Sequence, residues 1–336
     1  MRILVTGGAG FIGSNFIHHL IQKHPDYLII NLDKLTYAGN LENLKTIENN
    51  PNYNFIKGDI CDRNLVASII DNFKVQAIIN FAAESHVDRS IMGSDVFIQT
   101  NIVGTHTLLE VAREKNIEKF IQISTDEVYG SLDSAGKFTE QTPLHPNSPY
   151  AASKASADLL ALAYQHTYGV PVIITRCSNN YGPYQFPEKL IPLMIVNALN
   201  NKPLPIYGDG QNVRDWIYVT DHCEAILTVL EKGKIGEVYN IGAENEKPNI
   251  EIVKLILKEL GKDESLIKFV KDRPGHDRRY AIDATKIKTE LGWRPAYTFE
   301  KAIKSTIDWY LDNETWWNKI ISGEYLNYYK KWYEER

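Results

Sequence analysis

Short apolar runs punctuate the first half of the chain: Ile3-Leu4-Val5, Leu28-Ile29-Ile30, Ala77-Ile78-Ile79, Phe120-Ile121-Gln122-Ile123 and Val172-Ile173-Ile174. Their brevity and β-branched content predict strands buried on both faces. Helical periodicity fills most of the intervals and predicts helices over residues 11–23, 94–116 and 150–168, the last opening after Pro149 and closing at Gly169-Val170-Pro171. Strands alternating with helices give an α/β fold, a doubly wound Rossmann-type parallel sheet. After residue 178 the chain turns to Pro-, Asn- and Tyr-rich connections such as Asn179-Asn180-Tyr181-Gly182-Pro183 and Asn201-Lys202-Pro203-Leu204-Pro205. Two units are expected: residues 1–178 as the dinucleotide-type domain, and residues 179–336 as a smaller mixed α/β lobe facing the substrate. The boundary is approximate, and the chain is expected to cross back to the large sheet near 238–241.

With 336 residues, 43% of them apolar, the chain can bury a sizeable core. Its net charge of −5 argues against a nucleic-acid binder, so an anionic ligand must be met by a local basic pocket. Cys61, Cys177 and Cys223 are odd in number and widely spaced, which fits structural thiols in a reducing cytoplasm. No basic-then-apolar leader and no apolar run of about 20 residues is seen, so neither export nor membrane insertion is expected. Trp309, Trp316, Trp317 and Trp332 read as packing against the body or a subunit contact rather than as a platform for bases. His18-His19 sit on a helix as structural residues, no zinc-type spacing occurs, and no metal is expected.

Gly7-Gly8-Ala9-Gly10-Phe11-Ile12-Gly13 follows a predicted strand and opens a helix, so its glycines permit a tight turn and close approach of the backbone to a pyrophosphate. Asp33 ends the second strand 20 residues past Gly13, where a carboxylate accepts hydrogen bonds from a ribose and repels a 2′-phosphate. NAD is therefore expected over NADP. Asp59 reads equally as an adenine-side contact and as the cap of the next helix. Phe81-Ala82-Ala83-Glu84-Ser85 ends the fourth strand beside the same crevice.

Tyr150 and Lys154 lie four residues apart on one helix face, a spacing that lets an ammonium lower a phenol's pKa and make it a base near neutrality. Ser124-Thr125-Asp126-Glu127 ends the fifth strand, where a doubly wound sheet presents side chains to its ligand. Asp126 and Glu127 supply a second acid/base pair; alone, such neighbours are more often solvated loop carboxylates.

Taken with these, the segments Ala83-Glu84-Ser85-His86-Val87-Asp88-Arg89-Ser90, Ser124-Thr125-Asp126-Glu127-Val128-Tyr129-Gly130, Ser178 through Lys189, Val213-Arg214-Asp215-Trp216 and Arg273 through Tyr280 resemble the extended short-chain dehydrogenase/reductase family, in its nucleotide-sugar dehydratase branch, over nearly the whole length. The resemblance implies a redox-neutral hydro-lyase acting on dTDP-glucose, with NAD recycled in each turnover, and a homodimer paired through the helices near 94–116 and 150–168. It implies that Tyr150 and Lys154 oxidise C4 with Thr125 on that oxygen, that Glu127 takes the C5 proton, and that Asp126 protonates the departing C6 hydroxyl. For the cofactor it implies Gly7, Gly10, Phe11, Ile12, Gly13, Asp33, Lys34, Thr36, Asp59, Ile60, Phe81, Ala82, Ala83, Ser85, Thr100, Tyr150, Lys154 and Asn180. For the nucleotide sugar it implies Ser85, Thr125, Asn179, Glu188, Lys189, Leu190, Pro205, Tyr207, Arg214, Asn249, Arg273, His276 and Tyr280.

Three alternatives stay open. A UDP-sugar 4-epimerase shares the glycine loop, Tyr150 and Lys154 but has no need of an Asp-Glu pair. A UDP-glucose dehydratase differs only in base recognition, which residue chemistry does not resolve. A catalytically silent NAD-binding regulator would not require the full set of five.

Overall fold

A computed structural model describes residues 1–322; Trp332 lies outside the described residues. The elements run β1 (Arg2–Thr6), α1 (Phe11–Lys23), β2 (Leu28–Asp33), β3 (Tyr53–Lys57), α2 (Arg63–Phe73), β4 (Ala77–Asn80), α3 (Val87–Met92), α4 (Asp95–Phe97), α5 (Thr105–Glu114), β5 (Lys119–Thr125), α6 (Pro149–Tyr168) and β6 (Val172–Cys177). They continue through β7 (Asn179–Tyr181), α7 (Leu190–Leu199), β8 (Leu204–Tyr207), β9 (Val213–Tyr218), α8 (Val219–Lys232), β10 (Val238–Ile241), β11 (Glu246–Pro248), α9 (Asn249–Glu259), β12 (Ile267–Val270), α10 (Thr285–Glu290), α11 (Phe299–Asp312) and α12 (Glu314–Ile321).

Seven strands form one parallel sheet in the order β10-β6-β5-β4-β1-β2-β3. All four residues of β4 and all six of β6 are buried, as expected of strands covered by helices on both faces. One apolar layer packs α1 and α8 beneath the sheet, and another packs α2, α5 and α6 above it. The order reverses between β1 and β4, so the crevice that accepts ligands opens where the glycine loop and the Phe81–Ser85 segment leave their strands. A second core, under α7, α9, α11 and α12, holds a three-stranded sheet β11-β9-β7 and the pair β12-β8. Among the described residues no helix is long and apolar enough to cross a membrane.

Helix α6 forms where the periodicity places it. Ser148 caps it by accepting from Ala151 N at 3.1 Å, Pro149 needs no donor in the first turn, and Gly169 ends it at φ 71°. The helix expected over 94–116 forms continuously from Asp95 to Glu114, with Ile98–Gly104 widened into a π-helical turn between α4 and α5. That wider turn aims Asn101 inward, where its amide bridges the backbone of Glu84 (2.9 and 3.0 Å) and Ser153 Oγ (2.8 Å). Gly104 closes that turn against the Ile60 side chain, whose Cδ1 would lie 2.4 Å from a Cβ there.

Candidate active site

Gly7 sits at φ 68°, and a Cβ on it would lie 2.7 Å from the Ala82 backbone; a Cβ on Gly13 would lie 2.4 Å from the Gly7 carbonyl. Only glycine lets β1, α1 and the Phe81–Ala82 segment approach so closely. Gly10 caps α1 without any side-chain bond, which leaves the first amides of the helix open to an anion. Asp33 is buried and accepts from Ala9 N (2.9 Å) and Leu35 N (2.8 Å), so it ties the glycine loop to β2 as well as facing the crevice. Burial raises its pKa against those two bonds. Asp59 pairs with Lys34 at 2.8 Å, and the cap of α2 is Asp62, which accepts from Leu65 N.

One open crevice runs from the glycine loop past the carboxyl end of β5. Gly7, Gly10, Phe11, Ile12, Gly13, Asp33, Lys34, Thr36, Asp59, Ile60, Phe81, Ala82, Ala83, Ser85, Thr100 and Asn180 line it, as do Thr125, Asp126, Glu127, Tyr150, Lys154, Asn179, Glu188 and Lys189. Leu190, Pro205, Tyr207, Arg214, Asn249, Arg273, His276 and Tyr280 do not. Leu190 opens α7, Pro205 lies in β8 and Asn249 opens α9.

At the carboxyl end of β5, Thr125 Oγ1 accepts from Glu127 N and donates to Asp126 Oδ1, both at 3.3 Å. Asp126 is 1% exposed and its Oδ2 has no partner. Burial pushes its carboxyl well above the usual range, and the charges of Glu127 and Asp215 push the same way. Glu127 is also raised by burial, but Arg273, Lys189 and Arg214 all pull it down. Arg214 also draws Asp126 down, but Asp126 is raised further than Glu127, so of the two neighbours Asp126 is the better placed to carry a proton.

Those cations come from the second lobe. Arg214 is buried, spends Nη1 on Val213 O (2.8 Å) and Nη2 on Asp277 O (2.9 Å), and stacks 4.2 Å over the Tyr280 ring. Among the described residues no carboxylate comes within ion-pair distance of it. Arg273 pairs with Asp88 at 2.8 Å, and Tyr207 donates to the other Asp88 oxygen at 2.8 Å; Arg273 Nε is buried without a partner. Lys189 Nζ donates to Ser85 O at 2.7 Å. His276 contacts Asp272 at 2.6 Å, and burial together with Arg273 and Arg214 lowers its pKa to about 4, so the ring is neutral at pH 7. Glu188 is buried and already engaged, accepting from Tyr37 (2.7 Å) and Arg89 (3.1 Å).

Tyr150 and Lys154 both reach the crevice, but the expected depression of the phenol is absent in the free protein. Burial and the negative charge of Glu127 hold Tyr150 well above its ordinary pKa, against its hydrogen bond with Thr125. Lys154 Nζ is held by Ile123 O at 2.6 Å. Burial lowers its pKa, and Asp158, one turn further along α6, raises it. Asp158 in turn meets Arg176 at 2.9 Å, a pair buried behind the lysine.

The family model described as GDP-mannose 4,6 dehydratase matches residues 4–306. The chain belongs to that family. It is 56% identical over 340 residues to the dTDP-glucose 4,6-dehydratase of Xanthomonas campestris pv. campestris (strain B100), covering 96% of each. The crystal structure of dTDP-glucose 4,6-dehydratase from Bacillus anthracis in complex with NAD superposes with a TM-score of 0.90 at 58% identity, covering 95% of this chain and 99% of that one. UDP-glucose 4-epimerase of Thermotoga maritima, solved with UDP-glucose, also superposes, at a TM-score of 0.87 and 32% identity over 94% of this chain and 100% of that one. The backbone alone does not separate the two chemistries, so the side chains must.

Sequence reasoning placed Ser124 and Glu84 beside the crevice without giving either a role. Both line it, and burial raises the pKa of Glu84. Ser178, Gln185 and Phe186 also line it; they stand inside a segment singled out for resemblance but were given no role.

A carboxyl whose pKa is higher folded than unfolded keeps its proton in the native state after the unfolded chain has lost it. Native stability then falls as pH rises from the ordinary carboxylate value of about 4 through the raised one. Asp126→Asn removes that penalty. The variant is expected to melt a few degrees above wild type at pH 7.5, with the gain vanishing near pH 4, as read by thermal melts at both pH values.

Proposed function

We propose that this chain is a dTDP-glucose 4,6-dehydratase, which converts dTDP-glucose to dTDP-4-keto-6-deoxyglucose and water with NAD recycled. The observation that carries this reading is the Asp126–Glu127 pair, split by its surroundings and set in the same crevice as Tyr150. A 4-epimerase eliminates no water and has no use for a neutral carboxyl beside an ionised one.

The glycine cradle, the open amides of α1, Asp33 and the length of the crevice fit NAD, with Thr36, Ile60, Ala83, Thr100 and Asn180 along its walls. When bound, NAD would accept the hydride from C4, give the same hydride back to C6, and supply a positive ring charge. Tyr150 takes the proton of the sugar 4-hydroxyl, with Thr125 hydrogen-bonding that oxygen and Lys154 held close by Ile123. The C4 carbonyl acidifies C5–H. Glu127, kept ionisable by Arg273, Lys189 and Arg214, removes that proton, and Asp126 gives its own to the C6 hydroxyl, which leaves as water. Glu127 then returns a proton to C5, leaving the 4-keto-6-deoxy sugar.

Arg214 is a buried cation with no carboxylate within ion-pair distance among the described residues, a costly arrangement that an anionic ligand relieves. With Arg273 and Lys189 it forms the site for the diphosphate. Asn179 and Asn249 each keep a buried amide oxygen without a partner and are positioned for the sugar nucleotide, together with Ser85, Glu188, Leu190, Pro205, Tyr207, His276 and Tyr280.

We assign residues 1–178 to a cofactor domain and 179–336 to a nucleotide-sugar lobe; the second core fits that lobe, while α8, β10 and α10 return to pack with the large sheet. The chain pairs with a second copy through α4, the π-helical turn and α6: Val96 (55%), Ile98 (49%), Val103 (38%) and Leu159 (58%) expose apolar side chains there. Its three cysteines are unpaired, in keeping with a cytoplasmic enzyme.

Purified protein given dTDP-glucose without added NADH is expected to yield a product lighter by one water, seen by mass spectrometry; an isomer of unchanged mass would mark an epimerase. In D₂O, wild type should incorporate deuterium at C5. Glu127→Gln should lose that label and turnover by at least a hundredfold, while Asp126→Asn should slow loss of the C6 oxygen, in line with the ~10²–10⁴ contributed by a positioned acid or base. Leu159→Glu should convert a dimer into a folded monomer in sedimentation velocity; an unchanged dimer would place the contact elsewhere.

A further inference from the structure

Helix α12, with Trp316 and Trp317, reaches back toward the glycine loop. Helix α12 docks on the 3₁₀ segment Leu41–Ile47, where Lys319 pairs with Glu42 and Trp316 Nε1 donates to Asn43 Oδ1 at 2.9 Å. Both partners are nearly sealed from solvent, with Trp316 7% and Asn43 2% exposed. An indole N–H only donates, so it must face the amide oxygen of Asn43. The Asn43 Nδ2 group is thereby turned the other way, and it donates to Ala9 O at 3.0 Å. Asn40 N donates to the same carbonyl at 3.0 Å, and Ala9 N is held by Asp33 at 2.9 Å. Both ends of Ala9, in the middle of Gly7-Gly8-Ala9-Gly10, are fixed, and its carbonyl is drawn away from the crevice where it would repel a phosphate. His18 completes the seat of Asn43 through a 2.7 Å contact with its carbonyl.

We propose that Trp316 is a positioning residue for the dinucleotide: through the Asn43 amide it holds the glycine loop in its anion-binding form, so the last described helix of the second lobe sets NAD affinity. This rests on the NAD reading above. Trp316→Phe keeps most of the ring packing against Tyr184 and Trp309 and removes only the donor. Asn43→Asp keeps the acceptor for Trp316 and withdraws the donor from Ala9, and it stands in should the first variant fail to fold. Trp309→Phe trims the same aromatic cluster without touching the relay.

Equilibrium dialysis of the full chain against labelled NAD is expected to show about tenfold weaker binding for Trp316→Phe and for Asn43→Asp, the loss of one buried hydrogen bond. Trp309→Phe should stay within twofold of wild type, and all three should match it in kcat at saturating NAD. Wild-type affinity in both relay variants, or an equal loss in Trp309→Phe, would overturn the relay alone. A wild-type chain that binds no NAD would overturn the cofactor assignment and the relay with it.

Discussion

Two adjacent carboxyls cannot both be charged cheaply inside one water-poor wall, and the site is organised around how that conflict is resolved. Asp126 lies deepest, with one oxygen unpartnered and negative neighbours on two sides. Glu127, one residue on, faces Arg273, Lys189 and Arg214. Desolvation raises both and Arg214 draws both down, but Glu127 is also drawn down by Arg273 and Lys189, which favours the proton on Asp126. A neutral acid and a charged base side by side are what elimination of water across one carbon–carbon bond requires.

Neither lobe achieves this alone. The large sheet delivers Thr125, Asp126 and Glu127 at the end of β5 and sets α6 against them, which brings in Tyr150 and Lys154. The second lobe supplies Arg214 and Arg273 from β9 and from the segment after β12. The same cations that favour an ionised Glu127 await a diphosphate, so sugar-nucleotide binding and the ionisation of the base draw on one field. A diphosphate seated there would weaken the pull on Glu127 and make it a stronger base once substrate is in place.

The parts of this arrangement set by local chemistry were legible in the residues. A glycine loop between strand and helix, a carboxylate closing β2, and a tyrosine and lysine one turn apart each follow from spacing alone. The resemblance carried the substrate-side residues, but not what holds them. The π-helical turn at Ile98–Gly104 leaves no periodic trace, because Asn101 is turned by tertiary demand from Glu84 and Ser153. The cap reading of Asp59 fails because Asp62, directly before Arg63, caps α2, while Asp59 pairs with Lys34. Spacing placed Lys154 beside Tyr150 but could not reveal that Ile123 O holds its ammonium, nor that burial and the charge of Glu127 hold the phenol above its ordinary pKa. Long-range fields and buried backbone acceptors are properties of the fold, and no window of sequence contains them.

The most direct test is to observe the two carboxyls. Difference infrared spectra of wild type against Asp126→Asn and Glu127→Gln at pH 7 resolve a protonated carboxyl by its C=O stretch and an ionised one by its carboxylate bands. A protonated band lost only in Asp126→Asn, with a carboxylate band lost in Glu127→Gln, is the expected result. Two ionised carboxylates, or the proton residing on Glu127, would contradict the account.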